Sequence, residues 1–152
     1  MLILLSLVEA QVHGLLEVGD GYIIVLTDKT NSKFLTMSIG KAEGDAILIA
    51  KENIKTPRPL THELTTNIIN SLDGQIKYVE IYDLKDGVYY AKIHLIKKSF
   101  LFNTKKVIDS RPSDAIALAL RFKAKIFVNE KLFDNFQIPE IKQEKSKKFY
   151  DI

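Results

Sequence analysis

Hydrophobic segments separated by turn sequences fill the first forty positions, as is typical of β-strands, and the pattern then changes to a helical repeat. The predicted strand segments are 2–13, 21–28 and 33–39, separated by the turn-rich sequences "EVGDG" and "NSK". After Gly40, the apolar residues of "KAEGDAILIAKEN" recur three and four positions apart. The pattern predicts three strands followed by a helix.

A second helix is predicted after the breaks at Pro57 and Pro59. In "LTHELTTNIINSL", four apolar residues form one helical stripe: Leu64, Ile68, Ile69 and Leu72. Gly74 follows at the position where a left-handed cap commonly ends a helix.

Residues 75–109 have the clearest strand pattern. "IKYVEIYDL" and "VYYAKIHLI" flank Asp86-Gly87, a dipeptide typical of tight hairpin turns, and "SFLFNTKKVID" follows as a third strand. We therefore predict a three-stranded antiparallel meander.

The last elements are a helix opening at Arg111-Pro112, the short strand "KIFVNE" and a helical turn in "KLFDNF". Strands that come in hairpins, without regular strand–helix alternation, indicate an α+β fold. The expected architecture is one domain over 1–138, with a mixed, mainly antiparallel sheet and three to four helices. Residues 139–152 are predicted to form a flexible, lysine-rich tail.

Composition narrows the class of protein. The chain of 152 residues has no cysteine, so disulfides and thiolate metal sites are excluded. The apolar start "MLILLSLV" lacks a basic region and a cleavage pattern, and no run of about 20 apolar residues follows. We therefore expect a cytoplasmic protein with no membrane partner. The net charge of +3 is small for a protein that binds nucleic acid.

Only three of the 22 basic Lys and Arg residues are arginines, and two of them, Arg58 and Arg111, precede a proline. Proline suits the first helical position, so both arginines are expected at helix starts, where unpaired N–H groups attract anions. In one interpretation the two guanidinium groups converge and bind phosphate. In the other, each forms a structural ion pair with a nearby carboxylate (Asp109, Asp114 or Glu63).

Candidate acids and bases lie close to these helix starts. Ser113 and Asp114 are suited to capping the third helix, or to donating a hydrogen bond to phosphate and acting as an acid or metal ligand. His62 is the histidine near the first Arg-Pro pair. Glu43 is placed to reach back to the start of its helix, or to hold a divalent cation such as Mg²⁺ or Mn²⁺ if folding gathers further acids around it (Asp45, Glu63, Asp109, Asp114).

Four motifs, in this order and spacing, resemble the bifunctional nuclease family: "SIGKAEGDAI" (38–47), "RPLTHEL" (58–64), "DLKDGVYYAKI" (83–93) and "DSRPSDAIALALR" (109–121) with "IFVNE" after it. The resemblance covers about residues 2–137. It implies a mixed α/β domain, often self-associated, that degrades DNA and RNA.

The resemblance carries over to ten positions: Glu43, Gly44, Arg58, Pro59, Thr61, His62, Arg111, Pro112, Ser113 and Asp114. At two positions the chain departs from the family, because Glu63 stands where many relatives have aspartate and Lys125 where they have proline. The longer acid weakens the case for a ligand role at position 63, and the lysine is expected to change only a turn.

The resulting hypothesis is a nuclease that hydrolyses phosphodiester bonds of DNA, RNA or both. Its catalytic candidates are Asp114, His62 and Glu43, its phosphate-binding candidates are Arg58, Arg111, Ser113 and Thr61, and its metal-ligand candidates are Asp114, Glu43 and Glu63. A homodimer or higher oligomer is expected, since the strands are rich in large apolar residues. The alternative is a non-enzymatic oligomeric module that binds an anionic ligand or a protein.

Overall fold

The three strands predicted at the start of the chain are present and form an antiparallel meander. In the computed structural model, which describes residues 6–133 and 149–151, they are β1 (Leu7–Val18), β2 (Gly21–Asp28) and β3 (Phe34–Gly40). β1 continues past the predicted end at residue 13, because a bulge between Val12 and Gly14 lets the strand keep pairing with β2. The predicted "EVGDG" connection was therefore too long.

Three α-helices are present in the described part of the chain: α1 (Lys41–Lys51), α2 (Thr61–Ser71) and α3 (Pro112–Phe122). α3 is the central one and buries most of its length against the sheet, whereas no residue of α2 is fully buried. The predicted left-handed cap at Gly74 was wrong. Asp73 adopts that conformation instead, with φ of 58°, and Gly74 already belongs to the next strand.

The predicted meander is confirmed. It consists of β4 (Gly74–Lys85), β5 (Val88–Lys97) and β6 (Thr104–Ser110), with positive φ at both Asp86 and Gly87, as a tight hairpin turn requires. The third strand is shorter than predicted. Its pairing with β5 ends at Thr104, so residues 99–103 form a loop rather than strand.

β7 (Lys125–Asn129) joins the two halves of the sheet. It lies antiparallel to β1 on one side and parallel to β4 on the other, and β8 (Phe149–Asp151) pairs with a later part of β1. The order is β3-β2-β1-β7-β4-β5-β6. The α+β fold with a mixed, mainly antiparallel sheet is thus confirmed.

The core lies between one face of this sheet and the helices. Fully buried side chains from α3, β4 and β7 meet there, among them Ile116, Ile81 and Val128. This packing holds α3 rigidly and with it the helix start that follows β6. None of the helices described is long and apolar enough to cross a membrane.

The C-terminal predictions fall largely outside the described residues. A single 3-10 turn, Glu130–Leu132, stands where a helical turn was expected over 131–136. For the tail, only β8 and its pairing with β1 are described, and its flexibility stays a prediction.

Candidate nucleic-acid site at three helix starts

The first turns of the three α-helices meet at one place, joined by Arg111. Its Nη1 lies 3.0 Å from Glu43 Oε1 in α1, and its Nε donates to Asp114 Oδ2 in α3 at 2.7 Å. Asp114 Oδ1 lies 2.9 Å from His62 Nε2 in α2. Three segments far apart in sequence thus contribute to one continuous network of ion pairs and hydrogen bonds.

Local backbone rules explain the position of Arg111 and Asp114. Arg111 is the N-cap residue of α3 in an extended conformation, which the following Pro112 imposes, and its carbonyl accepts the first helical hydrogen bond from Ala115 at 3.0 Å. Asp114 is then the third helical residue, so its carboxylate turns back toward the helix start. The prediction that Arg111 lies at the start of a helix opened by Pro112 is confirmed.

The position of Glu43 depends on two glycines. A Cβ at Gly40, the N-cap residue of α1, would overlap Glu43 Oε2, so the carboxylate lies directly over the helix start. A Cβ at Gly44 would overlap the ring of Tyr22 in β2. The absence of side chains at both positions lets α1 approach β2 and lets Glu43 reach Arg111.

Asp114 is held as a carboxylate. Its hydrogen bond with His62 and the adjacent Arg111 guanidinium lower its pKa, in opposition to the effect of burial. Asp114 in turn raises the pKa of Arg111. The Arg111 side chain is nonetheless 66% exposed, and its Nη2 group makes no hydrogen bond to any described residue. One edge of the guanidinium therefore remains open to an anion.

Three predicted phosphate-binding residues do not join this network. Ser113 is buried at the second position of α3, and Thr61 is the exposed first residue of α2. Arg58 is exposed and forms no ion pair with a described residue; only its carbonyl is bonded, to Thr56 Oγ1 at 2.7 Å.

The expectation that Pro59 opens α2 was wrong. Leu60 is the extended N-cap residue and the helix begins at Thr61. The two Arg-Pro pairs therefore do not occupy the same setting.

Glu63 belongs to a different contact. Its Oε1 accepts hydrogen bonds from Arg121 Nε, at 2.8 Å, and from Nη2, while Arg121 Nη1 donates to the Ala117 carbonyl. Burial would raise the pKa of Glu63, but the Arg121 guanidinium lowers it overall. Arg121 was not among the predicted residues, because nothing in the sequence connects positions 58 apart.

The carboxylates as placed do not form a cation site. Asp114 and Glu43 are both paired with Arg111, and Glu63 with Arg121. Within residues 6–133 and 149–151, no group of three or more His, Asp or Glu side chains is arranged to hold a metal ion. A divalent cation would have to displace a guanidinium group to reach these oxygens.

Most of the α+β fold, including the three helix starts, lies within a stretch of the chain that matches a known domain family. The model of the bifunctional nuclease domain matches residues 24–140, which is more than half of the chain. The chain therefore belongs to the bifunctional nuclease domain family.

Among curated relatives, an uncharacterized protein of Mycobacterium tuberculosis is 33% identical over 108 residues, 71% of this chain and 62% of that protein. Bifunctional nuclease 1 of rice (Oryza sativa subsp. japonica) is 26% identical over 115 residues, 74% of this chain and 34% of that protein. A protein named bifunctional nuclease from Oryza minuta matches equally well. The chain thus spans less than two thirds of these relatives.

Proposed function

We propose that this domain hydrolyses phosphodiester bonds of nucleic acid at the meeting point of the three helix starts. The observation that carries the proposal is the convergence of Glu43, His62 and Asp114 on Arg111 from three separate segments. Each helix also presents its positive dipole end and its first N–H groups there, which favours an anionic substrate. The family and the rice relatives' names support a nuclease.

Arg111 is the proposed phosphate ligand. Its open Nη2 edge is free to donate to a non-bridging oxygen, while Asp114 and Glu43 hold the rest of the group in a fixed orientation. Because the charge on the phosphate oxygens grows in the transition state, a prepositioned guanidinium stabilises that state more than the substrate. Arg58 and Thr61 are proposed to bind flanking phosphates, and the Ser113 hydroxyl to support the start of α3.

His62 is the proposed proton donor to the leaving oxygen. Its Nε2 is bonded to Asp114, and its Nδ1 makes no hydrogen bond to a described residue. A histidine oriented by a carboxylate at one nitrogen and open at the other is suited to general acid–base catalysis. Asp114, whose pKa is lowered, orients His62 rather than donating a proton itself. No step is assigned to a metal.

Cleavage of labelled single-stranded and duplex DNA and RNA, with and without Mg²⁺ or Mn²⁺, tests the proposal. Arg111→Ala and His62→Gln are each expected to lower the rate by about 100-fold or more, as is typical for loss of a charge-stabilising group or a general acid. Lys51→Ala, which removes an exposed cation from the far end of α1, is the matched control and should cleave like the unmodified protein.

Two results would contradict the proposal in different ways. Equal cleavage by Arg111→Ala and Lys51→Ala would place the active site elsewhere. Oligonucleotide binding that depends on Arg111 without cleavage under any metal condition would favour the non-enzymatic alternative, a module that binds an anionic ligand. That alternative is consistent with a guanidinium already paired with two carboxylates.

A further inference from the structure

β6 is an edge strand with an open outer side. It pairs with β5 in an unbroken register from Thr104 to Ser110, and no other described strand borders it. Six of its seven residues are exposed. It contains neither a proline nor a bulge, two of the features that commonly prevent an edge strand from pairing with another chain, although it carries two lysines, Lys105 and Lys106.

A second exposed apolar surface is a stripe on α2, which packs against α3 and β4. Leu60, just before the helix, and Leu64, Ile68 and Leu72 recur every four residues and are 46–61% exposed. At one end α2 is bonded to α3, which directly follows β6, through His62 and Asp114. At the other end the Asp73 carbonyl accepts from Lys98 N at 2.9 Å, close to where β6 begins. The helix is thus tied at one end to the start of α3 and at the other to the end of β5.

The loop between β5 and β6 adds further apolar surface. Phe100 is completely exposed, and Leu101 and Phe102 are 73% and 77% exposed. The stripe and the loop thus each expose several large apolar side chains, a feature that is typical of surfaces that bind a partner.

The charges of β6, "TKKVIDS", are complementary to those of a second, antiparallel copy of the same strand. Antiparallel pairing about Val107 places Lys105 opposite Asp109 of a second copy, twice by symmetry. Shifting the centre by one residue to Lys106 places that lysine opposite itself, and shifting it to Ile108 places Lys105 opposite Arg111. Only the register centred on Val107 pairs opposite charges.

We propose that β6 pairs with β6 of a second copy about Val107, with the α2 stripes on the same side of the joined sheet. In this register Ser110 is opposite the partner's Thr104, so the partner's loop 99–103 lies beside Arg111. Each loop thereby completes the site of the other copy. This second part rests on the proposed function, whereas the interface itself does not.

A single cysteine tests the interface, because the chain has none of its own. In Val107→Cys the two thiols face each other across the two-fold axis, within disulfide distance, and mild oxidation should yield a covalent dimer. Val88→Cys, exposed at the start of β5, is the control and should remain uncrosslinked. A monomer mass by sedimentation equilibrium at about 50 μM, or equal crosslinking of both variants, would overturn the interface.

Charge reversal tests the register. Lys105→Glu and Asp109→Lys each create two like-charge pairs and should weaken dimerisation about tenfold, and the double variant should restore it. Lys106→Glu changes the net charge equally but faces Ile108, so it should have a smaller effect. Equal weakening by Lys105→Glu and Lys106→Glu, with no rescue by the double variant, would contradict this register.

Mixing two variants tests the shared site. Arg111→Ala and Phe102→Ser should each cleave poorly, but their mixed dimer has one site with an intact Arg111 and an intact partner loop. Restoration to roughly a quarter of full activity is expected for random exchange between dimers. No restoration would show that the loop acts within its own copy. If the unmodified protein cleaves nothing, the proposed function and the shared site both fail, while the crosslink still decides the interface.

Discussion

Asp114 connects residues that are distant in the sequence. One oxygen binds His62 and the other binds Arg111, which also pairs with Glu43. Arg121, the other paired arginine, is almost completely buried, with 8% of its side chain exposed, against 66% for Arg111. The same residue type thus occupies two different environments, and the difference determines what each substitution should cost.

Arg121→Ala is expected to lower the free energy of unfolding by about 3 kcal/mol, because it leaves the Glu63 carboxylate without its partner in a largely buried position. Arg111→Ala should cost less, about 1 kcal/mol, since the Arg111 side chain is itself 66% exposed, whereas that of Arg121 is 8% exposed. Urea unfolding of both variants measures the difference. The reverse order would indicate that Arg111 has a structural role.

Asp114 should make stability depend on pH in the acid range. Its pKa is lowered in the folded protein, so the folded state binds fewer protons than the unfolded chain, whose aspartates titrate near pH 4. The stabilisation is therefore complete above about pH 4 and is lost as the pH falls through the folded pKa. Asp114→Asn should be less stable than the unmodified protein at pH 7, by about 1–3 kcal/mol. The difference in the free energy of unfolding between the two proteins, measured by urea unfolding, should become smaller as the pH falls. A constant difference from pH 7 to pH 2 would contradict the lowered pKa of Asp114.

At the scale of elements, the approach of α1 to β2 positions Glu43. Tyr22 of β2 lies against Gly44, and its hydroxyl donates to Asp45 at 2.6 Å. Burial and the Asp45 carboxylate together raise the pKa of Tyr22 to about 12, so the phenol keeps its proton and this hydrogen bond. The contact fixes the helix start that carries Glu43 toward Arg111.

Gly44→Ala is expected to destabilise the protein by about 1–3 kcal/mol, even though alanine favours helices by about 1 kcal/mol. The new methyl group would overlap the Tyr22 ring. In a Tyr22→Ala background the same change should be neutral or stabilising, because the overlap is gone. Thermal unfolding of the four proteins in this double-mutant cycle gives the coupling; additive effects would contradict the contact.

At the scale of the whole molecule, the three helices differ in how far their neighbours cover them. α3 is covered by the sheet, α1 and α2, whereas α2 has no described neighbour over its stripe. Adjacent residues of α2 therefore differ in environment: Ile69 packs against the core, and Ile68 is 50% exposed.

Ile69→Ala should lower the stability by about 2 kcal/mol or more, through lost core packing. Ile68→Ala should leave the stability at low protein concentration within about 0.5 kcal/mol but weaken self-association. Denaturant unfolding at two protein concentrations and sedimentation velocity separate the effects. If Ile68→Ala lowers stability equally at both concentrations, the stripe is not an interface.

The sequence by itself determined the local features of this protein. The alternation of residues 75–109 predicted the meander, Asp86-Gly87 its turn, and Arg111-Pro112 the start of α3, because each depends on backbone preferences over a few residues. The tertiary structure decided which distant segments meet. It inserted β7 between β1 and β4, paired Glu63 with Arg121, brought Glu43 to Arg111, and left the α2 stripe exposed. Local patterns show that a face is apolar or a side chain charged. Its partner depends on the packing of the whole chain, and an apolar stripe is equally compatible with a core or with a second molecule.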